Sequence, residues 1–572
     1  MRRNLLAISL GVLWFLCIGT ACTPRSDSDD TIEKLWNSRF LKEINTIIPI
    51  KTYRSGDTDE REVIRNLTEV KRKLLEWAEE FNRQLVHIKL NGFEWKKTIH
   101  GKDYWLFGLR LGSGSYKIAM ITHLDTVPPG GDDWRPFEPR IEKRDYMGEK
   151  SMDFLVGRGA IDDKGPAVAA FVVLRSLAKK YDRTAGLDNV TVELIFDTSE
   201  ETDMATPHYL KDPSVKKPDF GIVFDAMWCV RAEKGIERPV FSIARHNEKH
   251  GKLWIESLNS SPGPTNQIPT MAEAIIKASD PEALRDFYKR VVKDYEGYEF
   301  DDKKYRRAKL DPPILLGNTL KLITHVKGAQ HGSAPQENRA DGANPLVSLV
   351  NFLAYLAETG VLDTNAVSTM AKFVKSTWGT KVFGEPHPEL LKAHDSVFQQ
   401  GNGTTYAVTK FITEKKQVIL KVDIRYAIGH HESPWDGKTE GLLIGKSRFE
   451  EIFAKLTRQF NRRHKIFPLE VETRNVFAPD IRLPTNPQFT RVNKAYKDVT
   501  GRDCNFVGIG GGTDAKGHPE LIAVGALFFP RMGPPINFHG RNEGAPLEHL
   551  KTSALIMYNA MVNEIEHAKQ TR

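Results

Sequence analysis

The sequence predicts an α/β domain that is split along the chain and interrupted by an inserted α+β domain. Three observations carry this expectation. At 572 residues the chain exceeds the roughly 250 to 300 residues at which a single core stops growing, so it must divide. Between Lys117 and Phe224 short β-rich apolar runs alternate with a helix-like segment, the pattern of a largely parallel sheet. From about Gly235 the pattern changes to longer alternating strands, and the short apolar runs return after Leu483. Hydrophobic residues at 40% and charged residues at 27% are ordinary for a folded globular body.

At the N-terminus Arg2 and Arg3 precede the apolar run Leu5 to Ile18, and the small residues Gly19, Thr20 and Ala21 lead to Cys22. That order reads as an export signal over residues 1–21. It resembles a bacterial lipoprotein signal, in which the Cys takes the lipid, although Gly19 stands where such signals prefer an apolar residue. The apolar run is short for a membrane span of roughly 20 residues. Cleavage after Ala21 without lipidation, and retention as an uncleaved anchor, are the alternatives. The expected destination is the periplasm or the cell exterior, with a lipid anchor on Cys22 tying the body to a membrane. Residues 22–34 read as a polar tether.

The first part of the split domain is expected over 35–237. Apolar residues recur at helical spacing from Leu35 to Phe81, most clearly Leu74, Leu75, Trp77, Ala78 and Phe81. Strands follow at Lys117 to Ile121, Val190 to Phe196 and Phe220 to Phe224, with a helix at Pro166 to Ala178. The insertion, 238–483, shows strands at Phe241 to Ala244, Leu253 to Ser257, Asn318 to Val326 and Val418 to Ile424. Amphipathic helices are expected within it at Met271 to Ala278 and Leu346 to Leu356. In the second part, 484–572, a helix at Phe489 to Val499 and the apolar run Leu521 to Phe529 rejoin the first domain.

The net charge of +8 arises from 82 Lys and Arg against 74 Asp and Glu, spread without a basic arm or aromatic interleaving, so no nucleic acid partner is expected. Beyond the signal, Cys22, Cys229 and Cys504 make no dense disulfide framework, and the fold must rest on its core. Cys229 and Cys504 read as buried small hydrophobes rather than nucleophiles, with a bridge between them left open.

The chemistry gathers just after the apolar runs. His123 and Asp125 lie in Thr-His-Leu-Asp-Thr-Val-Pro, Glu200 and Glu201 in Asp-Thr-Ser-Glu-Glu-Thr, Asp225 follows Ile222-Val223-Phe224, and His539 lies in Asn-Phe-His-Gly. Ligands of open α/β sheets bind outside the carboxyl ends of the strands, so these positions can converge. The glycine-rich turn Gly-Arg-Gly-Ala-Ile-Asp-Asp-Lys-Gly-Pro, 157–166, adds Asp162 and Asp163 before a helix. Taken singly, each of these is an ordinary residue. Together, two His and three carboxylates suit zinc. Two Zn²⁺ at +4 would be balanced by Asp162, Glu201 and Asp225 at −3 and a bridging hydroxide at −1, as a buried site requires. His246 and His250, four apart in His-Asn-Glu-Lys-His, are set aside as ligands because their Glu is not adjacent to the first His and the flanks read as strands.

These motifs resemble the superfamily of dinuclear zinc exopeptidases that includes aminoacylase, carboxypeptidase G and the long-form bacterial dipeptidases, over about Leu35 to the C-terminus. The resemblance implies a zinc-exopeptidase-like catalytic domain with the insertion as a lid. It implies two Zn²⁺ per chain, or Co²⁺ or Mn²⁺ in their place. One would be held by His123 and Asp225, the other by Glu201 and His539, with Asp162 bridging and the peptide after it cis. Asp125 would orient His123. A zinc-bridged hydroxide would attack an amide carbon, with Glu200 as general base and then as proton donor to the leaving amine.

Within the insertion, Gly-Ala-Gln-His-Gly-Ser-Ala-Pro, 328–335, resembles the lid loop whose His, here His331, donates to the oxyanion, and Thr-Asn-Gln-Ile-Pro resembles the segment whose Asn, here Asn266, assists it. Arg425 in Val-Asp-Ile-Arg-Tyr, with Gly511, Gly512 and Thr513 of the glycine loop 510–514, resembles a clamp for a substrate's terminal carboxylate. Asp514 stands where those enzymes often carry an aromatic, and an acid there would reject negative side chains or attract a free amine. The implied activity is hydrolysis of dipeptides or similar small peptides. A deacylase of N-acyl amino acids using the same metals, and a non-catalytic peptide-binding lipoprotein, are the rivals; the second is disfavoured because Glu200 and every expected ligand are present.

Overall fold

A computed structural model of the chain describes residues 27–570 except 56–57, 131–133, 185, 247, 249–250, 328–330, 338–340, 392–396, 399–402 and 529–534. The expected export signal, Cys22, His250 and the first residues of the lid loop lie outside the described residues. The helix Asp27–Ile47 begins within the stretch read as a tether. It is held from two sides: Ile32 is buried, and Glu33 pairs with Lys551 at 3.0 Å. Further along, Glu43 accepts a buried two-pronged contact from Arg175 at 2.7 and 2.6 Å. The second helix, Glu60–Asn82, starts at Asp59, whose carboxylate caps the Arg61 N–H, and Glu60 and Glu62 favour its first turn. Val63, Leu67, Val70, Leu74, Ala78 and Phe81 form its buried stripe at three- and four-residue spacing.

The central sheet has the order Leu90–Ile99, Lys102–Gly112, Val190–Asp197, Tyr116–His123, Phe220–Phe224, Leu521–Val524. Its last four strands are parallel to one another. The first two join as an antiparallel hairpin at one edge, so the sheet is largely parallel, as expected, with a two-stranded antiparallel margin. Every residue of Val190–Asp197 is buried, because helices and loops cover both faces; this is why these strands read as unbroken apolar runs. The buried helix Lys164–Asp182 lies against the sheet and against the helices Asp27–Ile47 and Leu547–Gln570. The strand Leu521–Val524, contributed by the returning part of the chain, completes the sheet beside Phe220–Phe224.

Two cores result. One joins residues from Ile32 to Val230 with those from Phe489 to Ala568. The other is built between Phe241 and Leu469. This second body contains one sheet around Gln417–Tyr426 and another with the order Leu253–Ser260, Met271–Ala278, Thr319–His325 at its centre. The segment Met271–Ala278, expected as a helix, is therefore a strand. Its burial alternates strictly, with Ala272, Ala274, Ile276 and Ala278 inward. Pairing on both sides overrides the helical preference of its alanines. Cys229 and Cys504, read from the sequence as buried small hydrophobes with a bridge between them left open, form a disulfide with Cα atoms 5.9 Å apart.

Candidate metal centre

Three parallel strands deliver the site at their carboxyl ends. Tyr116–His123 ends on His123, Val190–Asp197 leads into Glu200 and Glu201, and Phe220–Phe224 is followed by Asp225. The parallel register places His123 opposite Asp197, so the two loops leave the sheet side by side. Asp162 arrives from the turn before Lys164–Asp182, and the peptide between Asp162 and Asp163 is cis. His539 comes from the loop before the C-terminal helix.

The two imidazoles stand on either side of one carboxylate. His123 Nε2 lies 3.0 Å from Asp162 Oδ1 and 3.7 Å from Asp225 Oδ1. His539 Nε2 lies 2.8 Å from Asp162 Oδ2 and 3.4 Å from Glu201 Oε2. Glu200 Oε2 is 4.0 Å from His123 Nε2. All are buried or nearly so. Burial pushes the carboxyls of Glu200, Glu201 and Asp225 upward, that of Asp225 to about 7. Such a cluster is held ionised only by a compensating cation. His123 Nε2 and Glu201 Oε1 are buried without a hydrogen-bond partner among the described residues. Two nitrogens and three carboxylates with orphaned atoms turned inward fit a pair of divalent metal ions.

Asp125 differs from expectation in one respect. His123 Nδ1 is 3.0 Å from the Asp125 backbone carbonyl, its nearest acceptor, and 3.5 Å from the carboxylate. The carboxylate instead accepts the backbone N–H groups of Glu200 and Glu201, at 3.0 and 3.1 Å. One residue thus orients the imidazole through its main chain and pins the double-Glu turn through its side chain.

Several residues that support the site are assigned no role from the sequence. Asp163 Oδ2 accepts the His123 N–H at 3.0 Å, and an oxygen of Asp163 lies close enough to His123 and Asp225 to share a metal with them. Arg158 and Glu543 form a fully buried ion pair. Glu543 accepts the N–H groups of Ile161 and Asp162 at 3.0 and 3.2 Å, while Arg158 donates to the carbonyls of His539 and Gly540 at 3.2 and 3.0 Å. That pair fastens the Asp162 turn to the His539 loop. The Gly-Arg-Gly motif and an acid four residues after His539 are its only traces in the sequence.

The second body closes over the centre. Asn266 O accepts the Gly332 N–H at 2.5 Å and Gln267 bridges His331, which brings the two loops together. The His331 ring stands 4.7 Å from that of His539. Because Ser333 N–H donates to His331 Nδ1 at 3.2 Å, a neutral ring carries its proton on Nε2. Burial pushes its pKa well down, and the nearby charges of His539 and Arg425 act in the same direction. Arg425 is held by Asp423 at 2.8 Å and donates to Gly510 O at 3.2 Å. Thr513 is fixed through its N–H and hydroxyl by Glu233, at 3.1 and 2.7 Å, with Lys516 beneath.

Asp162, Glu200, Glu201, Asp225, Asn266, His331, Arg425, Gly511, Gly512, Thr513 and His539 all line one cleft of about 880 Å³ including its open mouth. His123 and Asp125 lie behind this wall. Asp514 does not line the cleft; it is buried near Asp197 and Thr206, so its acid does not face a substrate side chain. His246 is exposed and does not line the cleft.

Residues 119–563 match the family model described as Peptidase family M20/M25/M40. The chain belongs to that family, and it is a metallopeptidase by class. It is 26% identical, over 75% of its length and 80% of the relative's, to a protein of Staphylococcus aureus strain bovine RF122 / ET3-1 that is provisionally named a dipeptidase. The counterpart in strain USA300 matches to the same identity and coverage. The crystal structure of human carnosine dipeptidase 1 shares the fold with a TM-score of 0.53 and 12% identity, covering 95% of this chain and all of that one.

Proposed function

We propose that the protein is an exported, two-metal dipeptidase. The observation that carries this reading is the division of Asp162: one oxygen faces the His123 and Asp225 side, the other the His539 and Glu201 side. His123 and Asp225 would hold one cation, Glu201 and His539 the other, and Asp162 both, with zinc as the metal the donor set suits best. When bound, the ions acidify water and polarise the scissile carbonyl. Glu200, poised as a non-ligand carboxylate with its affinity for protons raised by burial, takes the proton from the attacking water and returns it to the leaving amine. His331 Nε2–H, with Asn266 beside it, donates to the oxygen on which negative charge develops. Arg425, Gly511, Gly512 and Thr513 receive the substrate's terminal carboxylate.

The dipeptidase names of the S. aureus relatives favour this substrate class, and the basic, apolar and small residues at the N-terminus support export with a lipid on Cys22. The deciding experiment pairs metal analysis with assays on free dipeptides and N-acyl amino acids. About two metal ions per chain and preference for the unblocked amine are expected. Glu200→Gln should abolish nearly all turnover while leaving metal content near two. Faster cleavage of the N-acyl substrate would identify a deacylase, and full turnover by Glu200→Gln would remove that residue as the base.

A further inference from the structure

Beside Arg425 the cleft holds a second guanidinium, Arg238, which the carboxylate clamp does not employ. The backbone register explains its position. Strand Gly235–Glu237 runs antiparallel to Gln417–Tyr426 with Ile236 opposite Arg425 and Glu237 opposite Ile424. The next residue, Arg238, therefore falls near Asp423, diagonally from Arg425 and on the same face of the sheet. Both arginines line the cleft, together with His331 and the glycine loop.

Their engagement differs. Arg425 is buried and tied to Asp423 and Gly510 through Nε and Nη1. Arg238 keeps 34% of its side chain exposed and has one ionic neighbour, Asp423 Oδ1, at 3.7 Å. Its guanidinium makes no hydrogen bond among the described residues, and Nε is buried without one. Arg474 adds a third positive charge close by, with its carbonyl accepting the Arg238 N–H at 3.0 Å. The two arginines that line the cleft thus share the carboxylate of Asp423, which is hydrogen-bonded to Arg425 and not to Arg238, so a terminal carboxylate held by Arg425 still leaves the Arg238 guanidinium unengaged.

We propose that Arg238 is a specificity-determining residue that receives the side-chain carboxylate of an acidic C-terminal residue, making Xaa-Glu and Xaa-Asp dipeptides the preferred substrates. This rests on the reading of Arg425 as the clamp for the main-chain carboxylate. The spacing agrees: in an extended glutamate the two carboxyl carbons are roughly 5 Å apart. Diagonal neighbours across a strand pair stand roughly 7 to 8 Å apart, and both long side chains can converge from that distance. The free fork of Arg238 offers paired N–H donors suited to a planar carboxylate.

The test compares Ala-Glu with its neutral isostere Ala-Gln, and Ala-Gln with its C-terminal amide, on the metal-loaded enzyme. Wild type is expected to cleave Ala-Glu with about ten- to a hundredfold higher kcat/KM than Ala-Gln, the usual effect of one charge-assisted contact. In Arg238→Gln that ratio should fall to about one, while the ratio of Ala-Gln to its amide persists; Arg238→Lys should keep part of the acidic preference. Equal cleavage of Ala-Glu and Ala-Gln by wild type overturns the proposal without any variant. So does an unchanged ratio in Arg238→Gln, or collapse of the acid-to-amide ratio there, which would make Arg238 a jaw of the main-chain clamp. Failure to cleave any free dipeptide would overturn the dipeptidase reading as well, whereas cleavage without acidic preference overturns this inference alone.

Discussion

At the scale of single residues, the side chains around the metal centre differ in how they are locked, and the lock sets what each can do. His331 has Nδ1 committed as the acceptor of the Ser333 N–H and lies within 2.6 Å of the Ser333 hydroxyl, so its remaining nitrogen is a fixed donor. A buried neutral imidazole of this kind needs no reorganisation as charge develops on the substrate oxygen. His331→Ala is therefore expected to lower kcat by about 10² to 10³ with metal content unchanged. A change confined to KM, measured in steady-state kinetics, would recast His331 as a ground-state contact. His123, Glu200, Glu201 and Asp225 are legible in the sequence because each ends or closely follows a strand whose apolar run is unmistakable. Arg238 is not, since only the cross-strand register shows that it shares a face with Arg425. The reach of Asp125 to two backbone amides is likewise hidden, because it depends on how two neighbouring loops leave the sheet.

At the scale of elements, the centre is assembled from segments that the chain itself holds far apart, and buried polar contacts tie them. Arg158 and Glu543 are separated by 385 positions, yet no water reaches either side chain. Removing one partner of such a pair strands the other as a buried charge, at a cost of roughly 3 to 5 kcal/mol. Glu543→Gln should accordingly lower the melting temperature. Because Glu543 also holds the Ile161 and Asp162 amides, the variant should bind metal about 10- to 100-fold more weakly, as loss of a partner behind a ligand commonly does. Metal titration with a competing chelator separates the two effects; wild-type affinity in a destabilised variant would show the pair to be a staple only. The same distance explains why the pair cannot be read from the sequence: glycines around Arg158 signal a turn, and nothing local names the partner. Met271–Ala278 misleads for another reason. Its Ala, Ile, Glu and Lys residues fit either period, and only pairing with Leu253–Ser260 and Thr319–His325 decides for the strand.

At the scale of the whole molecule, the split of the first domain is legible because its two parts share one apolar pattern and the insertion has another. How the parts are joined is not. The returning part supplies Leu521–Val524 to the sheet, and Val507–Ile509 runs parallel to Val230–Glu233 before opening into the glycine loop. The Cys229–Cys504 disulfide sits at this seam, just before each of those two strands, and spans 275 positions of sequence. In the unfolded chain it would keep both halves of the domain together despite the intervening insertion, and a crosslink closing so long a loop contributes roughly 2 to 5 kcal/mol by limiting that ensemble. An oxidising destination, as proposed from the N-terminal segment, would maintain the bond. Reductant should therefore lower the melting temperature of the wild-type protein, and the double variant Cys229→Ala, Cys504→Ala should melt at that lower temperature with or without reductant. The glycine loop follows Cys504 by a short strand, so the double variant is also expected to show a raised KM for free dipeptides with metal content unaltered. If reductant shifts wild type and double variant equally, the bridge is not what joins the two halves, and the seam is held by the paired strands alone.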